Sequence, residues 1–82
     1  MPTQVPKNWQ IQDEMLVREF EFKNFLEALQ FVNEVAKQAE TLQHHPDILI
    51  HSYRRVNIST TTHDAGKVTD KDYRLAELIN QI

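Results

Sequence analysis

Near the start of the chain, apolar and polar residues alternate with a period of two. Trp9 and Ile11 alternate with Asn8, Gln10 and Gln12, which predicts a short strand. After a turn at Asp13-Glu14, Met15 to Phe22 alternates again. One parity of this second strand carries Leu16, Arg18, Phe20 and Phe22, and the other Met15, Val17, Glu19 and Glu21. The Leu/Phe side is the one expected to be buried, which puts Arg18 on the apolar parity. Either its head answers a carboxylate across a subunit boundary, or its stem packs near the sheet edge while the head reaches water.

The period then changes to that of a helix. Asn24 followed by Glu27 resembles a capping box, and the apolar stripe behind it reads Phe25, Ala28, Leu29, Val32, Val35, Ala36 and Ala39. Phe31 and Leu42 widen that stripe, so the helix is expected to cover a sheet and also touch a second helix, supplied in so short a chain by another subunit. The helix should end near Thr41 or Gln43, because Pro46 disfavours helical geometry at His45. Ile48 to Tyr53 and Val56 to Thr62 are rich in β-branched and aromatic residues and predict two more strands. The link at Arg54-Arg55 holds no Gly, Asn or Asp, so a tight hairpin and one longer irregular strand both stay open. Asp64-Ala65-Gly66 supplies a turn, Thr69 and Asp72 form a second capping-box pair, and Leu75, Leu78, Ile79 and Ile82 make the apolar face of a last helix. The order β-β-α-β-β-α predicts an α+β fold, a four-stranded antiparallel sheet with the helices packed on one face.

Composition narrows the possibilities. A chain of 82 residues makes one domain, 1–82, in which 1–7, with Pro2 and Pro6 and no periodicity, reads as an extended arm. At this size folding buries only roughly 60% of the unfolded surface, and without cysteine no disulfide can help. Oligomerisation, to a homodimer or homotetramer, is the expected remedy. The net charge is −3, and the nine basic residues are scattered except for Arg54-Arg55, which argues against direct nucleic-acid binding. No apolar run approaches the roughly 18 residues of a membrane span, and no signal pattern opens the chain, so a cytoplasmic protein off the membrane is expected.

All four histidines, His44, His45, His51 and His63, fall between Glu40 and Asp72. An imidazole can give or take a proton near neutrality. His44-His45 sits where the helix ends, and His63 closes the threonine-rich strand, out of phase with Val56, Ile58 and Thr60. If the two flanking segments pair as neighbouring strands, three imidazoles share one edge of the sheet. By itself an adjacent His-His at a helix end is more often a solvated last turn complementing the helix dipole.

The spaced set Glu40, His44-His45-Pro46, Tyr53, His63 and Asp72, with Trp9, the run Leu16 to Phe22 and the closing L-A-E-L-I, resembles the signature of pterin-4a-carbinolamine dehydratases and covers most of the chain. The resemblance implies four strands backed by helices, assembly into dimers or tetramers, and dehydration of 4a-hydroxytetrahydropterin to the quinonoid dihydropterin in tetrahydropterin recycling. That reaction needs a proton delivered to the C4a hydroxyl and one removed from N5, so two groups that titrate near neutrality suffice, with no cofactor, metal or covalent nucleophile. His45 and His63 are expected to form the acid/base pair, with His44 binding and polarising the pterin. Glu40 is placed to hold an imidazole tautomer or accept from the pterin ring, and Thr61, Thr62 and Asp64 to line the substrate site. Asp72 is assigned to the helix cap, His51 to an exposed strand position, and Tyr53 either to the signature or to packing. Three histidines with Glu40 also offer the ligand types of an open zinc site, although consecutive residues of an extended chain point apart.

The chain departs from the family pattern in three places. Members often carry an aromatic residue shortly after His-His-Pro, where Ile48-Leu49-Ile50 stands here, and a second glycine where Lys67 follows Gly66. Members also usually have a helix before the tryptophan strand, and eight residues precede Trp9. Some relatives act as assembly or dimerisation partners of other proteins, a homeodomain transcription factor among them. A non-catalytic interaction module with a protein partner is therefore the alternative function.

Overall fold

The computed structural model describes residues 5–82, so Met1 to Gln4 of the expected arm lie outside the described residues. The elements run β1 (Gln10–Gln12), β2 (Met15–Glu21), α1 (Phe25–Leu42), β3 (Asp47–His51), β4 (Arg55–Thr60) and α2 (Asp70–Asn80). The strands form one antiparallel sheet in the order β1-β2-β4-β3, with Leu16 opposite Thr60, Phe20 opposite Val56, and Ile48 opposite Ile58. This is the α+β architecture read from the periodicities.

Parity decides what each strand buries. Leu16, Val56, Ile58 and Thr60 share the helix side and are almost fully buried, together with Trp9, Ala28, Val35, Leu75, Ala76 and Ile79. α1 packs over β3 and β4, α2 lies against β2, and the helices touch each other. Phe31 of α1 meets Phe20 and Phe22 with ring centroids 4.6 and 4.9 Å apart, and Trp9 stands edge-on to Phe20 at 6.2 Å. Such aromatic contacts add about 0.5–1.5 kcal/mol each beyond area burial. The opposite sheet face carries polar residues, among them Glu19, which accepts from Asn57 Nδ2 at 3.0 Å and lies 2.9 Å from His51 Nε2. The hydrogen bond from Asn57 is the main reason that the Glu19 pKa lies below its ordinary value.

Within the chain the Arg18 head is packed and hydrogen-bonded and does not simply reach into water. Its guanidinium lies 4.2 Å over the Phe20 ring, and Nη1 donates to Asn80 Oδ1 at 2.5 Å, an oxygen that also accepts from Trp9 Nε1 at 2.8 Å. Asn80 thus ties β2 and the residue just before β1 to the end of α2. Burial lowers the Arg18 pKa from its ordinary value.

The turns show what lies between the periodic segments. Asp13 and Glu14 both adopt positive φ, 51° and 64°, in the two-residue hairpin that brings Gln12 opposite Met15. This is the turn whose twist suits a hairpin and whose conformation favours Asn-Gly. The β3–β4 link is a hairpin turning through Ser52-Tyr53-Arg54, with Ser52 and Tyr53 at φ 52° and 54° and His51 opposite Arg55. The alternative of one longer strand is not formed. The turn lies earlier than Arg54-Arg55, so Ser52 and Tyr53 belong to it and not to a strand. Tyr53 is accordingly exposed.

Because a left-handed residue with a side chain costs about 1–2 kcal/mol relative to glycine, Glu14→Gly should raise the free energy of unfolding by about 1 kcal/mol. Urea denaturation would show a higher midpoint at unchanged slope. A lower midpoint would mean that the Glu14 side chain contributes more than its backbone costs.

Candidate active site

The end of α1 sets the first part of the site. Gln43 turns left-handed (φ 54°, ψ 42°), its N–H bonds to Glu40 O at 3.2 Å, and the His44 N–H bonds to Ala39 O at 3.1 Å. These two bonds make a Schellman ending, which closes the helix carbonyls and throws His44 off the helix axis. Pro46 then keeps the chain extended into β3. Since Asp47 pairs with Ser59, the residues entering β3 run beside those leaving β4. His44 and His45 therefore come to lie beside the stretch Thr61 to Asp64.

A compact loop holds that second part. The Thr62 carbonyl accepts from Ala65 N at 3.0 Å and Gly66 N at 2.8 Å, and the Thr62 N–H donates back to Lys67 O at 3.1 Å. Gly66 sits at φ 69°, where only glycine avoids a steric cost. Together the two segments enclose an open cleft of about 310 Å³ lined by Gln43, His44, His45, Thr61, Thr62, His63, Asp64 and Lys71.

Each histidine of the cleft has a different environment. His44, with its side chain only 11% exposed, places Nε2 at 2.6 Å from Asp72 Oδ1. Asp72 is fully buried, and it also accepts from Thr60 Oγ1 at 2.6 Å, Thr62 Oγ1 at 2.8 Å and the Thr69 N–H at 2.9 Å. Burial pushes this carboxyl up, but the hydrogen bonds, led by those of Thr60 and the Thr69 N–H, outweigh it and hold the pKa below its ordinary value. An ionised carboxylate only accepts, so His44 Nε2 carries a hydrogen, and in the neutral ring Nδ1 then holds the lone pair. His45 Nε2 lies 2.5 Å from Glu40 Oε2, at the exposed rim. With Glu40 accepting at Nε2, the lone pair of the neutral His45 ring lies on Nδ1. The His63 side chain is exposed and makes no side-chain hydrogen bond among the described residues.

The remaining candidates are placed as follows. Glu40 stands behind His45 and does not line the cleft. The hydroxyl of Thr61 donates to Glu14 O at 2.8 Å and that of Thr62 to Asp72, so both hydroxyl hydrogens are engaged within the protein. Asp64 lies at the rim, and His51 is away on the polar sheet face against Glu19. Among the described residues no three His, Asp or Glu side chains converge as a ligand set, so the zinc arrangement is not formed.

Two features were missed in the sequence. Asp72 does serve the α2 capping box, but its other oxygen also holds His44, a partner 28 residues away that no local spacing reveals. Lys71, one residue earlier, lines the cleft because the start of α2 abuts the end of α1.

The family model for pterin 4 alpha carbinolamine dehydratase matches residues 2–82. A Picosynechococcus sp. protein, provisionally named a pterin-4-alpha-carbinolamine dehydratase, is 49% identical over 74 residues, which span 90% of this chain and 79% of that protein. A Koribacter versatilis protein of the same provisional name is 52% identical over 65 residues, 79% of this chain and 68% of its own length. Among solved structures, a transcriptional coactivator/pterin dehydratase from Brucella melitensis superposes with a TM-score of 0.84 at 36% identity, covering 92% of this chain and 81% of that one. A pterin dehydratase-like RuBisCO assembly factor of the alpha-carboxysome shares the fold, with a TM-score of 0.70 at 20% identity, covering 89% of this chain and 83% of its own.

Asp72→Asn places an amide donor among four donors in a buried site. It should cost about 3 kcal/mol or more in urea unfolding. The native carboxyl titrates below its unfolded counterpart. Its contribution is therefore present above the unfolded pKa and disappears as pH falls through the native one. The acid unfolding of wild type should contain this loss and that of Asp72→Asn should lack it; identical acid profiles would remove Asp72 from the account.

Proposed function

The chain belongs to the pterin 4 alpha carbinolamine dehydratase family, and from that premise we propose that it acts, as a single domain over 1–82, by removing water from 4a-hydroxytetrahydropterin. The observation that carries this reading is one cleft lined by three imidazoles, two of them within hydrogen-bond distance of carboxylates. His45 is the base. Its Nε2–H is held by Glu40, so Nδ1 takes the N5 proton, and the carboxylate stabilises the imidazolium that forms. His63 carries no such constraint and is the acid, protonating the C4a hydroxyl as the carbon–oxygen bond breaks. Electrons move from the N5–H bond into the new C4a–N5 double bond, and water leaves with the quinonoid dihydropterin. His44, fixed by Asp72, accepts a hydrogen bond from substrate at Nδ1 and orients it. The backbone of Thr61 to Asp64 forms the opposite wall.

A second role is favoured by the surface of α1. Phe25, Leu26 and Leu29 are 52%, 61% and 39% exposed, although the helix buries Ala28, Val35 and Ala39 against the sheet. Among the described residues nothing covers this apolar patch. A second copy covers it in a homo-oligomer, or a protein partner does in the interaction role. No helix among the described residues is long and apolar enough to cross a membrane.

Stopped-flow absorbance on freshly generated 4a-hydroxytetrahydropterin tests the reaction. Wild type should accelerate dehydration, and His45→Ala and His63→Ala should each lower kcat by roughly 10²–10⁴-fold, the contribution of a positioned acid or base. A folded wild type with no acceleration would instead support the interaction role. For the patch, sedimentation equilibrium should show an oligomer that Leu29→Asp dissociates. A wild type that stays monomeric at every concentration would overturn the self-association.

A further inference from the structure

A second groove adjoins the histidine cleft. It has a volume of about 290 Å³ and is lined by Leu42, at the end of α1, and by Asp70, Lys71 and Arg74 of α2. Lys71 lines both, so the two cavities are neighbours across that residue. Lys71 and Arg74 are three residues apart on α2 and therefore project along one helix face. Neither has a carboxylate within 4 Å among the described residues, where the other arginines near the surface, Arg54 and Arg55, reach Glu21. Two cations face the single carboxylate of Asp70, on a chain whose net charge is −3. Locally the groove reverses the sign of the whole molecule, and a groove lined by one sign of charge concentrates ligands of the other.

The chemistry of the proposed substrate connects this groove to the reaction. In a pterin, N5 is bonded to both C4a and C6. A base that reaches the N5 hydrogen is therefore next to C6, and whatever C6 carries must leave the histidine cleft close by. Lys71 borders both the histidine cleft and the groove, and Leu42 gives the groove an apolar wall suited to linking carbons.

We infer that the Leu42–Lys71–Arg74 groove binds the C6 substituent of the substrate, and that it selects pterins whose substituent ends in an anionic group, a phosphate monoester or a carboxylate. The inference rests on the proposed dehydratase reading and adds the substrate class. It also accounts for two exposed cations of α2 that neither the core nor the acid/base chemistry uses.

The test compares kcat/KM for three 4a-hydroxytetrahydropterins, with a 6-methyl group, a 6-side chain ending in a phosphate monoester, and one ending in a carboxylate. At low salt at least one anionic substrate should exceed the 6-methyl compound by about tenfold, and the two anionic arms show which terminal group is preferred. Arg74→Gln should lower the anionic-to-neutral ratio about fivefold, the upper range for one exposed charge pair, and Lys71→Gln should lower it by a similar factor. Raising salt from about 0.05 M to about 0.5 M should shrink the ratio in wild type and less so in the variants. Turnover of all three substrates with equal kcat/KM, or ratios that neither substitution moves, would overturn the groove assignment and leave the dehydratase reading intact. No turnover of any of them would overturn both.

Discussion

The Asp72 carboxylate is the interaction on which the rest of this small structure depends. It is fully buried and collects four hydrogen bonds, from the end of β4 (Thr60, Thr62), from the N-cap of α2 (Thr69) and from the segment leaving α1 (His44). A carboxylate taken out of water costs several kcal/mol unless its lone pairs are met, and here both oxygens are shared out among protein donors. Three separate chain segments are thereby fixed to one another at one point. One of the carboxylate's donors, His44, lines the candidate site, so the charge that joins these segments and an imidazole of the cleft belong to one network.

The site follows from how the elements end. A Schellman turn at Gln43 releases His44 and His45 from α1, antiparallel pairing of β3 with β4 carries them to the strand end that leads to His63, and a short loop closed at Gly66 holds His63 in place. Two of the three imidazoles are backed by carboxylates of contrasting kind, Asp72 buried and Glu40 exposed. The His44–Asp72 pair is shielded from solvent, whereas the His45–Glu40 pair is open to it at the rim. This division suits a site in which one imidazole holds the substrate and others move protons.

Much of this was legible in the sequence. The period-two and helical stretches place all six elements, the parity of Leu16, Phe20, Val56 and Ile58 names the buried face, and the phase of His63 against Ile58 predicts its release from the core. Spacing with the family signature singled out the three histidines that line the cleft. What escaped is non-local or conformational. The His44–Asp72 bond spans the fold, and the position of Lys71 depends on how two helix ends abut. The turn at Ser52-Tyr53 lacks the Asn or Gly that usually marks positive φ, so its place could not be read from residue type. The split of the α1 stripe into a buried and an exposed half likewise needed the packing angle, which the periodicity does not contain.

Buried Asp72 should fix the tautomer of the neutral His44 ring and so present Nδ1 to the cleft. Long-range ¹H–¹⁵N correlation spectra of the imidazole rings, recorded at a pH where they are neutral, test it directly. The account requires a His44 ring protonated at Nε2 with an unprotonated Nδ1, a pattern lost in Asp72→Asn. A His44 ring that carries its hydrogen on Nδ1, or that exchanges freely between tautomers in the folded wild type, would contradict it.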